Sequence, residues 1–281
     1  MKKFVYGLLA AALASAPLTA QSNSGAVVAG PASPNVLSAP DGVGGTLDIL
    51  YAPSQADDAT FRAAVAAITG GAVDYFDAAA ATPDPTLLAQ YDCVYVWVDV
   101  GLSDNVLYGD RLANYVDAGG RVVLGAFATY TTGNYLSGQI MTSAYSPVTS
   151  PSGTNHFANS AYAGDGVTGI HAGVTAYDST YRDFLALQGA GLQDGSYLDG
   201  EIAVAFRPDF GVIYANGIGT TPPGGGAGDW PLLIANACRA LPYQAPLIQA
   251  VPTLSGWGLA ALLVGLGGAA ILFLRRRAAH A

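Results

Sequence analysis

The chain of 281 residues has room for one large domain or two small ones, and at 51% hydrophobic and 11% charged it is poor in charge for a cytosolic globular protein. Lys2, Lys3, Arg275, Arg276 and Arg277 lie at the two ends, so the middle carries six arginines, no lysine and all twenty carboxylates, a net of −14. Such a surface repels phosphate backbones and excludes nucleic acid as a partner; it leaves open divalent cations, polyhydroxyl ligands or simple solubility after export.

In chain order, residues 1–20 have the layout of a secretory leader: two lysines, an apolar run from Phe4 to Ala14, then small residues and Pro17. The run is too short to span a bilayer, which takes roughly 20 apolar residues. Cleavage is expected after Ala20, with Ala16 as the alternative. Residues 21–45 are rich in Ser, Gly, Ala and Pro and read as a flexible linker.

From Thr46 strands and helices alternate. "TLDILYA" is a strand. "DDATFRAAVAAITGG" is a helix with Phe61, Val65 and Ile68 on one face. "AVDYFD" is a strand. "DPTLLAQY" is a short helix with Asp84 as N-cap and Pro85 in its first turn. "DCVYVWVDV" is a strand apolar enough for burial on both faces. "SDNVLYGDRLANYVDAGG" is a helix, with Ser103 expected as cap and Gly119 at its end. "RVVLGAF" is a fourth strand. This order predicts an α/β fold with a parallel sheet and right-handed crossovers.

The rhythm stops at residues 128–200, which are rich in Gly, Ser, Thr, Tyr and Asn. So long a structureless loop is implausible, so short strands in an ordered excursion over the sheet's ligand-facing edge are expected. "EIAVAFR" and "GVIYANG" form a strand pair. "TTPPGGGAGDW" reads as a surface turn before a last helix, "WPLLIANACRAL".

The last segment, residues 243–281, is of another kind. Gly256 to Leu274 is uncharged over 19 residues. At ~1.5 Å per residue such a helix nearly crosses a ~30 Å hydrocarbon core. Trp257 suits the headgroup boundary, and Arg275, Arg276 and Arg277 place the C-terminus in the cytoplasm. A core helix is the competing reading, and the terminal arginines oppose it.

"VPTLSGWG" before that helix resembles the IPTL-CTERM motif of bacterial C-terminal sorting signals. Pro252, Thr253, Leu254, Trp257 and Gly258 match its pattern, and Val251 stands where isoleucine is usual. The resemblance implies an exosortase-type protease-transpeptidase as partner, passage through the inner membrane and delivery to the cell envelope or outside. The chain's implied role is substrate. A single-pass protein whose tail is never cut is the alternative. Pro252 biases the residues before it toward extended backbone, the form in which proteases bind peptides.

Over residues 46–242, "YVDAGGRVVLGAF", "HAGVTAY" and "GVIYANG…DWPLLIANACRAL" resemble the class I glutamine amidotransferase-like superfamily and its ThuA-like relatives. The resemblance implies a flavodoxin-like fold. In the amidotransferases a cysteine sits on a sharp strand-to-helix turn and a later histidine activates it. The matching turn here is Gly125-Ala126-Phe127-Ala128-Thr129, without cysteine, and no histidine follows "GVIYANG" before the last helix. Amidotransferase activity is therefore not expected, no catalytic set is assigned, and no cofactor or metal is expected.

Cys93 and Cys238 are the only cysteines. A disulfide, two separately buried thiols and, least of all, a catalytic thiol stand as readings. His171 is expected to cap or pack against a turn. If the domain binds a ligand, open α/β sheets place it at the C-terminal strand ends, which points to Tyr51, Ser54, Asp99, Thr129, Tyr130 and Asn216. The 16 tyrosines suit stacking on sugars, so a glycan or other envelope polymer is a candidate partner. A secreted hydrolase using Asp99 as acid or base is the enzymatic alternative.

Overall fold

The computed structural model describes residues 46–209, 211–220 and 226–240. The leader, the linker, Val251–Gly258, the apolar segment 256–274 and the basic tail lie outside them. Among the described residues no helix is long and apolar enough to cross a membrane.

Strand β1 (Ile49–Tyr51) is buried at every position and is followed by α1 (Ala59–Thr69). The Asp58 carboxylate caps α1 by accepting the Phe61 N–H, and Gly70 closes it in the left-handed region at φ 74°. β2 (Val73–Tyr75) and the single turn α2 (Pro85–Leu88) come next, the latter capped by Asp84. β3 (Cys93–Val96) leads into α3 (Asn105–Asp117), then β4 (Arg121–Leu124). The cap of α3 is Asp104, not Ser103. The Asp104 carboxylate accepts the Leu107 N–H at 2.9 Å, while the Ser103 backbone is engaged with the Ala78 carbonyl. A charged acceptor one residue later outcompetes the serine hydroxyl.

Residues 128–200 hold β5 (Val148–Thr149), β6 (Asn155–Ala161), β7 (Tyr177–Asp183), β8 (Ala186–Leu187) and β9 (Leu192–Gln193). β10 (Val204–Phe206), β11 (Val212–Ala215), β12 (Gly226–Gly228) and α4 (Trp230–Arg239) complete the described chain.

The main sheet has seven strands in the order β2-β1-β3-β4-β11-β10-β9. The first five run parallel, with Leu50 opposite Val94 and Val123 opposite Ile213. β10 and β9 run antiparallel at one edge, so the sheet is mixed rather than wholly parallel. The tight turn around Pro208 and Asp209 dictates this, because parallel strands need a long crossover. β3, β4 and β11 are buried at every position, so both faces of the sheet are covered.

β6 and β7 form a ribbon that β12 extends to a three-stranded antiparallel sheet. The end of the glycine-rich stretch is thus a strand and not a surface turn. Its glycines are needed there: a Cβ on Gly228, at φ 94°, would lie 2.3 Å from the Ala176 carbonyl oxygen. Cys93 on β3 and Cys238 on α4 are joined by a disulfide across 145 residues, with Cα atoms 5.6 Å apart. It ties α4 to the centre of the sheet.

Candidate functional site

The chain visits β1 and β2, then returns to place β3 on the other side of β1. At such a reversal the loops leaving two neighbouring strands diverge and open a crevice at their C-terminal ends. An open cleft of about 830 Å³ lies there. Gln55 through Thr60, leaving β1 and entering α1, form one wall together with Asp99 beyond β3. Phe127 and Tyr130, beyond β4, and Phe157 and Tyr181, from the β6–β7 ribbon, form the other. Trp97, Ile218 and Thr220 also line it.

The first wall is polar and acidic. Gln55 Nε2 donates to Asp99 Oδ2 at 2.6 Å, so amide and carboxylate hold each other at the rim. Asp57 forms a two-pronged pair with Arg62, at 2.7 and 2.6 Å. The second wall is four rings: Phe127 lies 5.4 Å from Tyr130 and 5.6 Å from Tyr181, and Phe157 lies 5.9 Å from Tyr181. Phe157 and Tyr181 are cross-strand partners in the ribbon, and Phe157 is 62% exposed.

The turn beyond β4, where the resemblance would place a cysteine, keeps a strained backbone. Phe127 is the one non-glycine at positive φ, 65°, among the described residues. Gly125 permits the turn's approach to the sheet, since a Cβ there would meet Trp97 at 2.8 Å. Asp183, fully buried at the end of β7, is inserted beneath. Its Oδ1 accepts the Phe127 N–H at 3.0 Å and Asn155 Nδ2 at 2.5 Å. Its Oδ2 accepts the Thr129 N–H and hydroxyl, at 3.2 and 2.7 Å, and the Tyr214 hydroxyl. Burial pushes the Asp183 carboxyl up, and these donors pull against it. A phenyl ring above a buried acid thus stands beyond the end of β4.

The sequence-derived cleft residues separate into two layers. Asp99 and Tyr130 line the cleft. Tyr51, Ser54, Thr129 and Asn216 are buried beneath it. Tyr51 accepts the Trp97 indole N–H at 3.1 Å, and burial raises its phenol far above the ordinary range. Ser54 bridges the Val100 carbonyl and the Asp99 N–H. Asn216 accepts the Asp183 N–H and donates to the Asp183 and Ile202 carbonyls. These four support the wall from behind.

Gln55, Asp57 and Asp58 escaped the sequence reading, although their place just past the first strand could have marked them. Phe157 and Tyr181 carried no such signal, because only the ribbon pairing brings them to the cleft.

His171 belongs to a second, separate cluster. Its Nδ1 lies 2.8 Å from Asp194 Oδ2 and its Nε2 lies 3.1 Å from the Tyr177 hydroxyl. Tyr162 stacks on its face at 4.7 Å. A carboxylate can only accept, so Nδ1 donates to Asp194, while Nε2 pairs with the Tyr177 hydroxyl. Burial raises the Asp194 carboxyl, but hydrogen bonds from His171, Thr168 and the Val167 and Thr168 N–H groups outweigh it and hold the group at about 2. Every polar atom of the imidazole is engaged, so the ring packs and braces the turn at Gly169–His171. Among the described residues no group of His, Cys, Asp or Glu could hold a metal ion.

No family model matches the chain, and no curated protein matches it. Among solved structures it is similar to a cytoplasmic protein from Salmonella typhimurium: 12% identity, 70% of this chain and 100% of that one, TM-score 0.49. It is also similar to a ThuA-like protein from Bacteroides uniformis: 12% identity, 68% and 89%, TM-score 0.41. Neither likeness bears on what the cleft holds.

Proposed function

We propose that the chain is an exported bacterial envelope protein, a substrate of an exosortase-type sorting enzyme, whose α/β domain is a binding module for a saccharide. Export and sorting rest on the order of leader, linker, domain, "VPTLSGWG", apolar helix and arginines. The binding reading is carried by one observation: Tyr130, Phe157 and Tyr181, packed around the nearly buried Phe127, form an aromatic wall that shares an open cleft with amide and carboxylate groups. Sugars stack their apolar faces on rings and direct hydroxyls to such acceptors.

Mass spectrometry of the mature protein from its native envelope tests the sorting. Loss of Arg275–Arg277 is expected, and their retention would mean that the tail is never cut. A glycan array read for binding and for turnover tests the domain, with binding expected and no product. The second reading, a hydrolase, draws on the position of Asp99 in the cleft. Turnover that disappears in Asp99→Asn would establish it.

A further inference from the structure

Resting on the saccharide reading of the cleft, we infer that its ligand is a cationic sugar: a glycan carrying free, protonated amines rather than acidic or fully acetylated residues. Two independent features of the walls point there, and a third removes the main competitor.

The first is the sign of the charge. Asp57, Asp58 and Asp99 line the cleft, and no Lys, Arg or His is among its described lining residues. Arg62, behind the wall, is consumed by Asp57 and by the Val73 carbonyl, which its Nη1 meets at 2.6 Å. Asp99 is exposed and has its Oδ2 held by Gln55, which leaves Oδ1 without a donor among the described residues. An ammonium group beside Asp99 would gain a charge-assisted hydrogen bond.

The second is the aromatic wall. Tyr130, Phe157 and Tyr181, packed with the nearly buried Phe127 at centroid separations of 5.4–6.5 Å, offer ring faces and edges. Ring faces carry negative potential and attract cations, while the same faces take the apolar side of a sugar ring. A sugar amine satisfies both walls at once.

The competitor is an anion. In α/β folds the N-terminus of the first helix is a ready anion site, and α1 opens on this cleft at Ala59 and Thr60. Here Asp58 already fills that position, its Oδ1 accepting the Phe61 N–H at 2.9 Å. A phosphate or uronate would meet the Asp58 carboxylate in its place.

The test uses the full chain in a detergent without a sugar headgroup, at about pH 6, where carboxylates are ionised and sugar amines protonated. The probes are glucosamine oligomers, N-acetylglucosamine oligomers of equal length, and spermidine, titrated by calorimetry. The glucosamine oligomer is expected to bind at least about tenfold tighter than its acetylated counterpart, with the preference shrinking as salt is raised. Asp99→Asn should abolish the preference while leaving the thermal transition in place. Equal affinities, or tighter binding of the acetylated oligomer, overturn the charge inference and leave the saccharide reading standing. Spermidine binding as tightly as the glucosamine oligomer overturns the sugar component. If neither oligomer binds, the saccharide reading itself falls and this inference with it.

Discussion

The backbone N–H of Phe127, held at φ 65°, donates to Oδ1 of the buried Asp183 at 3.0 Å. A bulky residue at positive φ costs on the order of 1–3 kcal/mol and persists only where its surroundings over-determine it. Asp183 is that determinant, since it gathers Phe127, Thr129, Asn155 and Tyr214 around one carboxylate. Asp183→Asn keeps one acceptor oxygen, and the hydroxyls of Thr129 and Tyr214 can turn to accept from the new amide. The Thr129 N–H is then left facing another N–H, and a loss of about 2 kcal/mol in urea unfolding is expected. Asp183→Ala strands every donor and should cost about 4 kcal/mol or more. Equal costs for the two variants would show that the carboxylate does not organise the turn.

Asp194 confers a stability that depends on pH. Its folded-state carboxyl is depressed to about 2. A depressed carboxyl contributes stability that is present above its unfolded value and lost as pH falls through the folded one. Unfolding free energy should therefore drop by about 2 kcal/mol between about pH 4 and pH 2 from this group. Asp194→Asn should flatten that slope. An unchanged acid limb in the variant would remove Asp194 as its source.

The Cys93–Cys238 bond closes a loop of 145 residues. By chain entropy alone such a closure stabilises by about 5 kcal/mol, an upper figure given the residual structure of unfolded chains. The double variant Cys93→Ala/Cys238→Ala should lose several kcal/mol, and the oxidised wild type should unfold at higher urea than the reduced one. Coincident curves with and without reductant would contradict this.

Gly109 sets two effects against each other. In the interior of α3 an alanine would gain about 1 kcal/mol in helix propensity. Its Cβ, however, would stand 1.7 Å from the Ser137 carbonyl oxygen and 3.0 Å from Ile140. The nearest atom is backbone, which cannot swing aside, so a net loss of about 2 kcal/mol is expected for Gly109→Ala. A stabilised variant would mean that the 137–141 segment yields freely.

Phe157 separates binding from folding. With 62% of its surface exposed, truncation to alanine should change stability by less than about 1 kcal/mol. Removing one ring of the wall should weaken oligosaccharide binding about tenfold. A variant that binds as wild type would take the ribbon out of the site.

Much of the α/β half is legible from local pattern. Phe61, Val65 and Ile68 recur at helical spacing, Asp84-Pro85 opens a turn of helix, and β3 is apolar throughout. Capping was less legible, because Ser103 and Asp104 are both good caps, and the Ala78 contact together with the charged acceptor of Asp104 separates them. Of the cleft, Asp99 and Tyr130 follow from the rule that ligands meet strand C-termini, whereas Tyr51, Ser54, Thr129 and Asn216 obey the same rule and are buried. Position along a strand end does not reveal which way a side chain turns.

By itself the sequence determined the alternation of strands and helices in the first half of the domain and the charge of the molecule. These are properties of local periodicity and residue identity, and they survive without knowing what touches what. Only the tertiary structure decided that Cys93 meets Cys238, that Asp183 reaches under Phe127 from 56 residues away, and that Phe157 and Tyr181 complete a wall begun by Phe127 and Tyr130. The last two depend on strand pairing across residues 128–200, where glycine, serine and tyrosine impose no period, so the register is set by contacts formed in the folded state; the first depends on how α4 packs against β3.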